Sequence, residues 1–250
     1  MGMPSNTVNK KYMKRIILIG ICSLFFFGAR SQDQIVVDPN ASVRTLPGSF
    51  SRIKISNALK VIITQSDTES IAVSASEEKY KEGIKTEVEN GTLKIYYDGS
   101  SKWTGKDRKL KAYVSFKSLS QLDVSGASDV AGIGKLTLKG LTINVSGAST
   151  VKADLSVDDL DIKLTGASKA SLSGESGMLN VECHGATDLN AYDLKSISCN
   201  AEASGASDID VFVEKDLNAS ASGASTIHYK GSPAVSNAKK SGASSISKKD

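Results

Sequence analysis

From Leu119 onward, apolar and polar residues alternate in short runs, and the runs recur. The pattern is clearest when counted from the glycine of each Ser-Gly-Ala-Ser-like tetrapeptide. Two residues before it stand Val124, Val145, Leu164, Cys183, Ala203 and Ala221, with Lys240 in the seventh copy. Four residues before it stand Leu122, Ile143, Ile162, Val181, Ala201, Ala219 and Ala238. Six before, five copies carry Leu141, Leu160, Leu179, Cys199 and Leu217. The intervening positions are mostly polar, which is the period of a strand with one buried face. Four residues after the glycine an apolar side chain returns, at Val130, Val151, Ala170, Leu189, Ile209, Ile227 and Ile246. Each repeat is therefore predicted as strand, tight corner, strand and polar turn.

The corner glycines are Gly126, Gly147, Gly166, Gly185, Gly205, Gly223 and Gly242, spaced 21, 19, 19, 20, 18 and 19 residues apart. A unit this short cannot bury its apolar face alone, so each turn must lie on the last. The prediction is an all-β chain: a parallel β-helix with rungs of about 19 residues, each ~4.8 Å from the next. Right-handedness follows from the general preference of parallel crossovers. Leucine-rich repeats have a similar period, but their L-x-x-L-x-L-x-x-N pattern is absent. A β-sandwich would not repeat one tetrapeptide seven times. Equivalent positions should stack into columns. Five residues before the glycine, Asn180, Asn200, Asn218 and Asn237 form a predicted asparagine ladder, whose amides can hydrogen-bond along the axis.

Residues 48–117 alternate less regularly, as in Ile53/Ile55, Val61/Ile63, Leu93/Ile95 and Val114/Phe116, with a tight turn expected at Asn90-Gly91. They read as an N-terminal β region continuous with the repeats of 118–250, and Asp98 to Arg108 as a loop. Residues 32–47 read as a linker. Residues 1–31 carry Lys10, Lys11, Lys14, Arg15 and Arg30, no acidic residue, and an apolar run from Ile16 to Phe27. With Ala29-Arg30-Ser31 before Gln32, this is the order of a secretory signal peptide cleaved after Ser31. The apolar run is too short to span a bilayer, and no later stretch approaches the ~18 residues needed.

This changes the charge. The whole chain has 31 Lys+Arg against 27 Asp+Glu, a net of +4; without the five basic residues of the leader it is 26 against 27, or −1. The basicity belongs to the leader, and the remaining Lys and Arg are scattered, so no nucleic-acid partner is expected. Aromatics are 6% of the chain, with one tryptophan, Trp103. That suits a narrow solenoid core and argues against a ring-lined pocket.

Candidate chemistry is sparse. In the stacked register Cys183 lies beside Ala203 and Cys199 beside Leu179, too far apart for a disulfide, so both read as buried small hydrophobes. Cys22 lies inside the apolar run without the small residue that lipid attachment requires. His184 and His228 fit no zinc spacing. Asp158, Asp159 and Asp161 cluster, and Asp129, Asp188 and Asp208 share a corner position. Thr150 and Lys169 interrupt that column, so it reads as solvated turns rather than a Ca²⁺ or acid–base site. No serine has a base and an orienting group beside it. No catalytic, cofactor-binding or metal-binding residue is predicted.

Two sets of residues carry a family resemblance. One is Phe50-Ser51-Arg52-Ile53-Lys54-Ile55 with Val61-Ile62-Ile63-Thr64-Gln65 and Gly91-Thr92-Leu93-Lys94-Ile95. The other is Leu119-Ser120-Gln121-Leu122-Asp123-Val124-Ser125-Gly126-Ala127-Ser128 with the later Ser-Gly-Ala-Ser copies. Over roughly residues 48–246 the chain resembles the auto-transporter adhesin head (GIN) domain family, common in Bacteroidetes. The resemblance implies a right-handed β-helix in an exported protein of the cell envelope or its surroundings. It brings no catalytic motif. An auto-transporter's membrane barrel would need a further run of amphipathic strands, and none follows the repeats here. The expected function is a non-enzymatic binding module for a glycan or a cell-surface protein. The alternatives are a polysaccharide-active enzyme with an acidic cleft, and an envelope component without a discrete ligand.

Overall fold

Each Gly-Ala-Ser corner turns the chain, and the next turn is laid in register on the last. A computed structural model describes residues 38–99 and 108–250. The expected leader, Cys22, Trp103 and most of the expected 98–108 loop lie outside the described residues. Among the described residues the strands run β1 (Ser42–Arg44), β2 (Arg52–Ile55), β3 (Lys60–Gln65) and β4 (Ser70–Ser74). A short helix, α1 (Glu78–Glu82), precedes β5 (Ile84–Glu89), β6 (Thr92–Tyr97), β7 (Lys111–Phe116) and β8 (Gln121–Val124). The repeats form β9 (Asp129–Val145), β10 (Thr150–Gly166), β11 (Lys169–Gly185), β12 (Asp188–Gly205), β13 (Asp208–Ala221), β14 (Thr226–Gly231), β15 (Ala234–Lys240) and β16 (Ser245–Lys248). Consecutive repeats pair in parallel from β9 to β14, so the chain is a β-solenoid.

Register follows the sequence columns. Leu160 pairs with Leu179, Ile162 with Val181, Leu164 with Cys183 and Gly166 with Gly185. Cys199 lies beside Leu179 and Cys183 beside Ala203; both thiols are free and buried. The structure departs from the sequence reading in the predicted polar turns. Asp159 in β10 and Ser176 in β11 stay inside hydrogen-bonded ladders, so β9 to β12 are bent strands of 17 or 18 residues rather than separate short ones. A polar side chain there points outward while its backbone still pairs with the rungs on either side.

Two columns of the core taper along the axis. The inward pairs run Leu122/Val124, Ile143/Val145, Ile162/Leu164, Val181/Cys183, then Ala201/Ala203 and Ala219/Ala221, all buried. The buried aromatics Phe50, Tyr80, Tyr97 and Phe116 all lie before these turns.

The N-terminal rungs are not stacked in chain order. Strand β2 lies between β6 and β8, and β3 lies between β7 and β9, all in parallel. The first rung is thus sandwiched between two later ones. Beyond it, β4 pairs with β7, β1 with β4, and β5 with β6, all antiparallel. The segment expected as a linker is therefore built into the sheet from Ser42 to Arg44. Just before it, Asp38 accepts a 2.7 Å hydrogen bond from the Tyr113 hydroxyl. Too little alternation survives in three residues for periodicity to reveal a strand. At the other end β15 pairs with β13 and β16 with β14, and every residue of β15 is exposed.

Candidate binding surface

The corners hold the surface in place. The backbone N–H of the alanine in one corner donates to the carbonyl of the preceding corner's glycine, as in Ala186 to Gly166 and Ala206 to Gly185, both 2.8 Å. The serine after it turns inward and is buried. Ser207 Oγ donates to Ser204 O at 2.9 Å and to Cys183 O, one rung back, at 3.1 Å. Ser168 and Ser225 do the same in their own turns. Thr187 fills this column between them, but its buried hydroxyl bonds no carbonyl and sits against the Cys183 thiol instead.

On the strand before each corner, the outward position five residues ahead of the glycine carries Asp161, Asn180, Asn200, Asn218 and Asn237. Asn180 Nδ2 donates to Asp161 Oδ1 at 2.8 Å, Asn200 Nδ2 to Asn180 Oδ1 at 2.8 Å, and Asn218 Nδ2 to Asn200 Oδ1 at 2.9 Å. Asn237 continues the column in register with Asn218. A carboxylate only accepts, so Asp161 fixes which way Asn180 must face, and each later amide follows. The ladder is therefore polarised toward Asp161, where it ends on a charge-assisted bond. Asn180, Asn200 and Asn218 each spend one N–H within the ladder, and Asn200 Nδ2 also reaches Met178 Sδ at 3.9 Å. Asp161 belongs to this site, although its place beside Asp158 and Asp159 suggested only a solvated turn. The signal was present in the sequence, since Asp161 occupies the asparagine column one repeat earlier.

Two residues nearer the corner, a second outward column carries Lys163, Glu182, Glu202 and Ser220. Lys163 Nζ lies 2.8 Å from Glu182 and His184 Nε2 3.8 Å from it. The Lys163 ammonium, aided by His184, holds the Glu182 carboxyl below its usual range. Between the two columns lies an open trough of about 470 Å³, running from Asp161 to Asn237 over Val181, Ala201 and Ala219. It lies over the part of the sheet whose inner side chains have dwindled to alanine.

The other candidates stand apart. The corner glycines stack at the edge of this surface, and their side-chain-free faces contribute shape rather than chemistry. Asp188 and Asp208 are exposed neighbours, with Lys169 at 3.3 Å from Asp188. His184 Nδ1 lies 2.6 Å from Ser204 Oγ. No group of three or more His, Cys, Asp or Glu side chains among the described residues is placed to hold a metal ion.

The family model described as "Putative auto-transporter adhesin, head GIN domain" matches residues 49–233. The chain belongs to this family. The GIN-domain fold is seen in a putative adhesin from Bacteroides fragilis, 21% identical, covering 84% of this chain and 96% of that one with a TM-score of 0.76. A putative lipid binding protein from Parabacteroides distasonis is 23% identical over 84% of this chain and 97% of its own, with a TM-score of 0.63. A putative adhesin from Parabacteroides merdae is 17% identical over 84% and 97%, also at 0.63. At these identities the likeness is one of fold. No curated protein matches the chain. Among the described residues no helix is long and apolar enough to cross a membrane.

Proposed function

We propose that this GIN-domain chain is an exported, non-enzymatic binding module, and that it holds a glycan, free or carried by a surface protein, along the amide trough. The observation that carries this reading is the polarised Asp161–Asn180–Asn200–Asn218 ladder lining an open trough. Hydroxyl groups both donate and accept, and so do side-chain amides. Contacts that are weak singly add up along the axis when one ligand spans several of them. A glycosidase would want a carboxylic acid held neutral near pH 7. Glu182, in the trough, is shifted the opposite way by Lys163. Family membership supports an adhesive role at a surface.

The test is a glycan array probed with the purified protein, run beside a polysaccharide-depolymerisation assay. Retention of linear glycans that is lost in the Asn200→Ala/Asn218→Ala double variant is the expected result. Release of shortened products from any glycan would overturn the non-enzyme reading. Equal binding by the double variant would remove the trough from it.

A further inference from the structure

The column of corners breaks off among the first rungs. Between β2 and β3, Asn57-Ala58 stand in the places that Gly126-Ala127 hold one rung on, and Ala58 N–H donates to Gly126 O at 2.8 Å. The rung on the other side has no such corner. Residues 98–110 separate β6 from β7, whereas residues 56–59 separate β2 from β3. At one end of that gap the Tyr97 carbonyl accepts from Asn57 Nδ2 at 3.1 Å. At the other end the Leu110 carbonyl accepts from Lys60 N–H at 3.0 Å. An open hollow of about 390 Å³ lies here.

Backbone strain gathers around it. Five non-glycine residues among the described ones adopt positive φ. Asn90 belongs to the turn before Gly91. The other four, Asn57 (+68°), Ala58 (+61°), Lys109 (+48°) and Ala127 (+63°), all line the hollow. A left-handed alanine is disfavoured by its own Cβ, and the alanines of later corners, such as Ala148 and Ala167, avoid that conformation. Strain of this kind persists only where the surrounding structure enforces it, and it collects at ligand sites.

Charge gathers there too. Lys60, Arg108, Lys109 and Lys111 line the hollow against one carboxylate, Asp129, in a chain whose net charge without the leader is −1. Lys111 lies 3.6 Å from Asp38. Lys60 is exposed and forms no ion pair among the described residues. The Arg108 guanidinium lies 5.0 Å from the centre of the Tyr97 ring and 5.6 Å from that of Tyr80, which holds its planar fork in place. The rest of the lining is largely apolar: the exposed Ala58 and Ala127, with the buried Leu59, Leu110 and Tyr97 behind them. A ligand that fits must be divided in the same way. An inorganic anion would leave the apolar floor wet, and a neutral sugar would leave the cations unanswered.

We propose that this hollow binds an organic monoanion, with a carboxylate or sulfate head at the Lys60–Arg108 rim and an apolar body on Ala58 and Ala127. Asp129 follows Lys60 in the same outward column, where it repels a second negative charge. The site shares no residue with the amide trough.

The test titrates the full-length protein with octanoate and octyl sulfate, with octanol and acetate as controls, and reads saturation-transfer NMR and calorimetric affinity. At least one octyl anion is expected to bind, less tightly as salt is raised, and to outbind both controls. Lys60→Gln should weaken it about fivefold. Ala58→Gly/Ala127→Gly should weaken it about tenfold while raising the melting temperature, because glycine takes left-handed angles without strain. Two alanines with a merely structural role would not trade affinity for stability. Asn200→Ala/Asn218→Ala should bind the octyl anion unchanged, and a loss there would place the anion in the trough and overturn this site. It would equally be overturned by no binding of either octyl anion, by octanol or acetate binding as tightly, or by undiminished affinity in the double glycine variant.

Discussion

Gly205 adopts φ +81°, and a Cβ built on it would sit 2.7 Å from the carbonyl oxygen of Gly185. That oxygen is the acceptor for Ala206 N–H, so it cannot retreat without breaking the corner's own bond. Gly205→Ala is expected to cost at least the ~1–3 kcal/mol of a strained left-handed residue, read as a lowered melting temperature in calorimetry; an unchanged melt would refute the stacking constraint. The inward serine column offers a finer contrast. Ser207→Ala removes the single hydroxyl proton that two carbonyls share in a buried corner and should cost about 1–3 kcal/mol. Thr187→Val removes a buried hydroxyl that bonds no carbonyl and only sits against the Cys183 thiol, so it should cost clearly less than Ser207→Ala. Chemical-denaturation midpoints of the two variants test this directly, and equal losses would contradict the bonding pattern.

At the scale of the strand, the alternation, the glycine register and the asparagine column were all legible, because a solenoid places equivalent residues of successive repeats side by side. What could not be read was the layering of the first rungs. Nothing in the alternation of Arg52–Ile55 says that it will pair with Thr92–Ile95 on one side and Gln121–Val124 on the other. Local period encodes a buried face, whereas partner choice in a non-repeating segment depends on end packing among Phe50, Tyr97 and Phe116. The taper gives these strands unequal tolerance. Ile162→Ala should cost about 2–5 kcal/mol by opening a cavity. Ala201→Leu should cost about 1–3 kcal/mol by forcing the narrow rungs apart, and it should also reshape the trough above. The exposed strand β15 is guarded by charge. Replacing Lys239 and Lys240 with valine strips an open edge of the residues that discourage pairing. Concentration-dependent association in light scattering is expected, and a strictly unchanged mass would show that the lysines have no such role.

For the molecule as a whole, alkaline pH is the informative axis. Burial pushes the thiols of Cys183 and Cys199 up to about 12 from an ordinary 9.0. Burial, with Asp38 as acceptor, takes the Tyr113 phenol to about 12 from 10.0. Unfolded chains would lose these protons first. Stability is therefore fully present below pH 9.0, falls as pH rises above it, and levels off near 12. Denaturant midpoints across that window should show the decline, and Cys183→Ala/Cys199→Ala should flatten its lower part. The same two thiols should resist a thiol reagent until the chain is unfolded. The sandwiching of β2 and β3 reaches into how such a chain comes into being. The earliest rung to leave the ribosome has neither neighbour in existence. One face waits for Thr92–Phe116 and the other for Gln121–Ile133. Every later turn finds its template already laid down about one repeat before it. Synthesis thus runs ahead of assembly at the start and in step with it afterwards. A nascent chain arrested before Gln121 should be protease-sensitive throughout, and one arrested a few turns later should become protected in a single step.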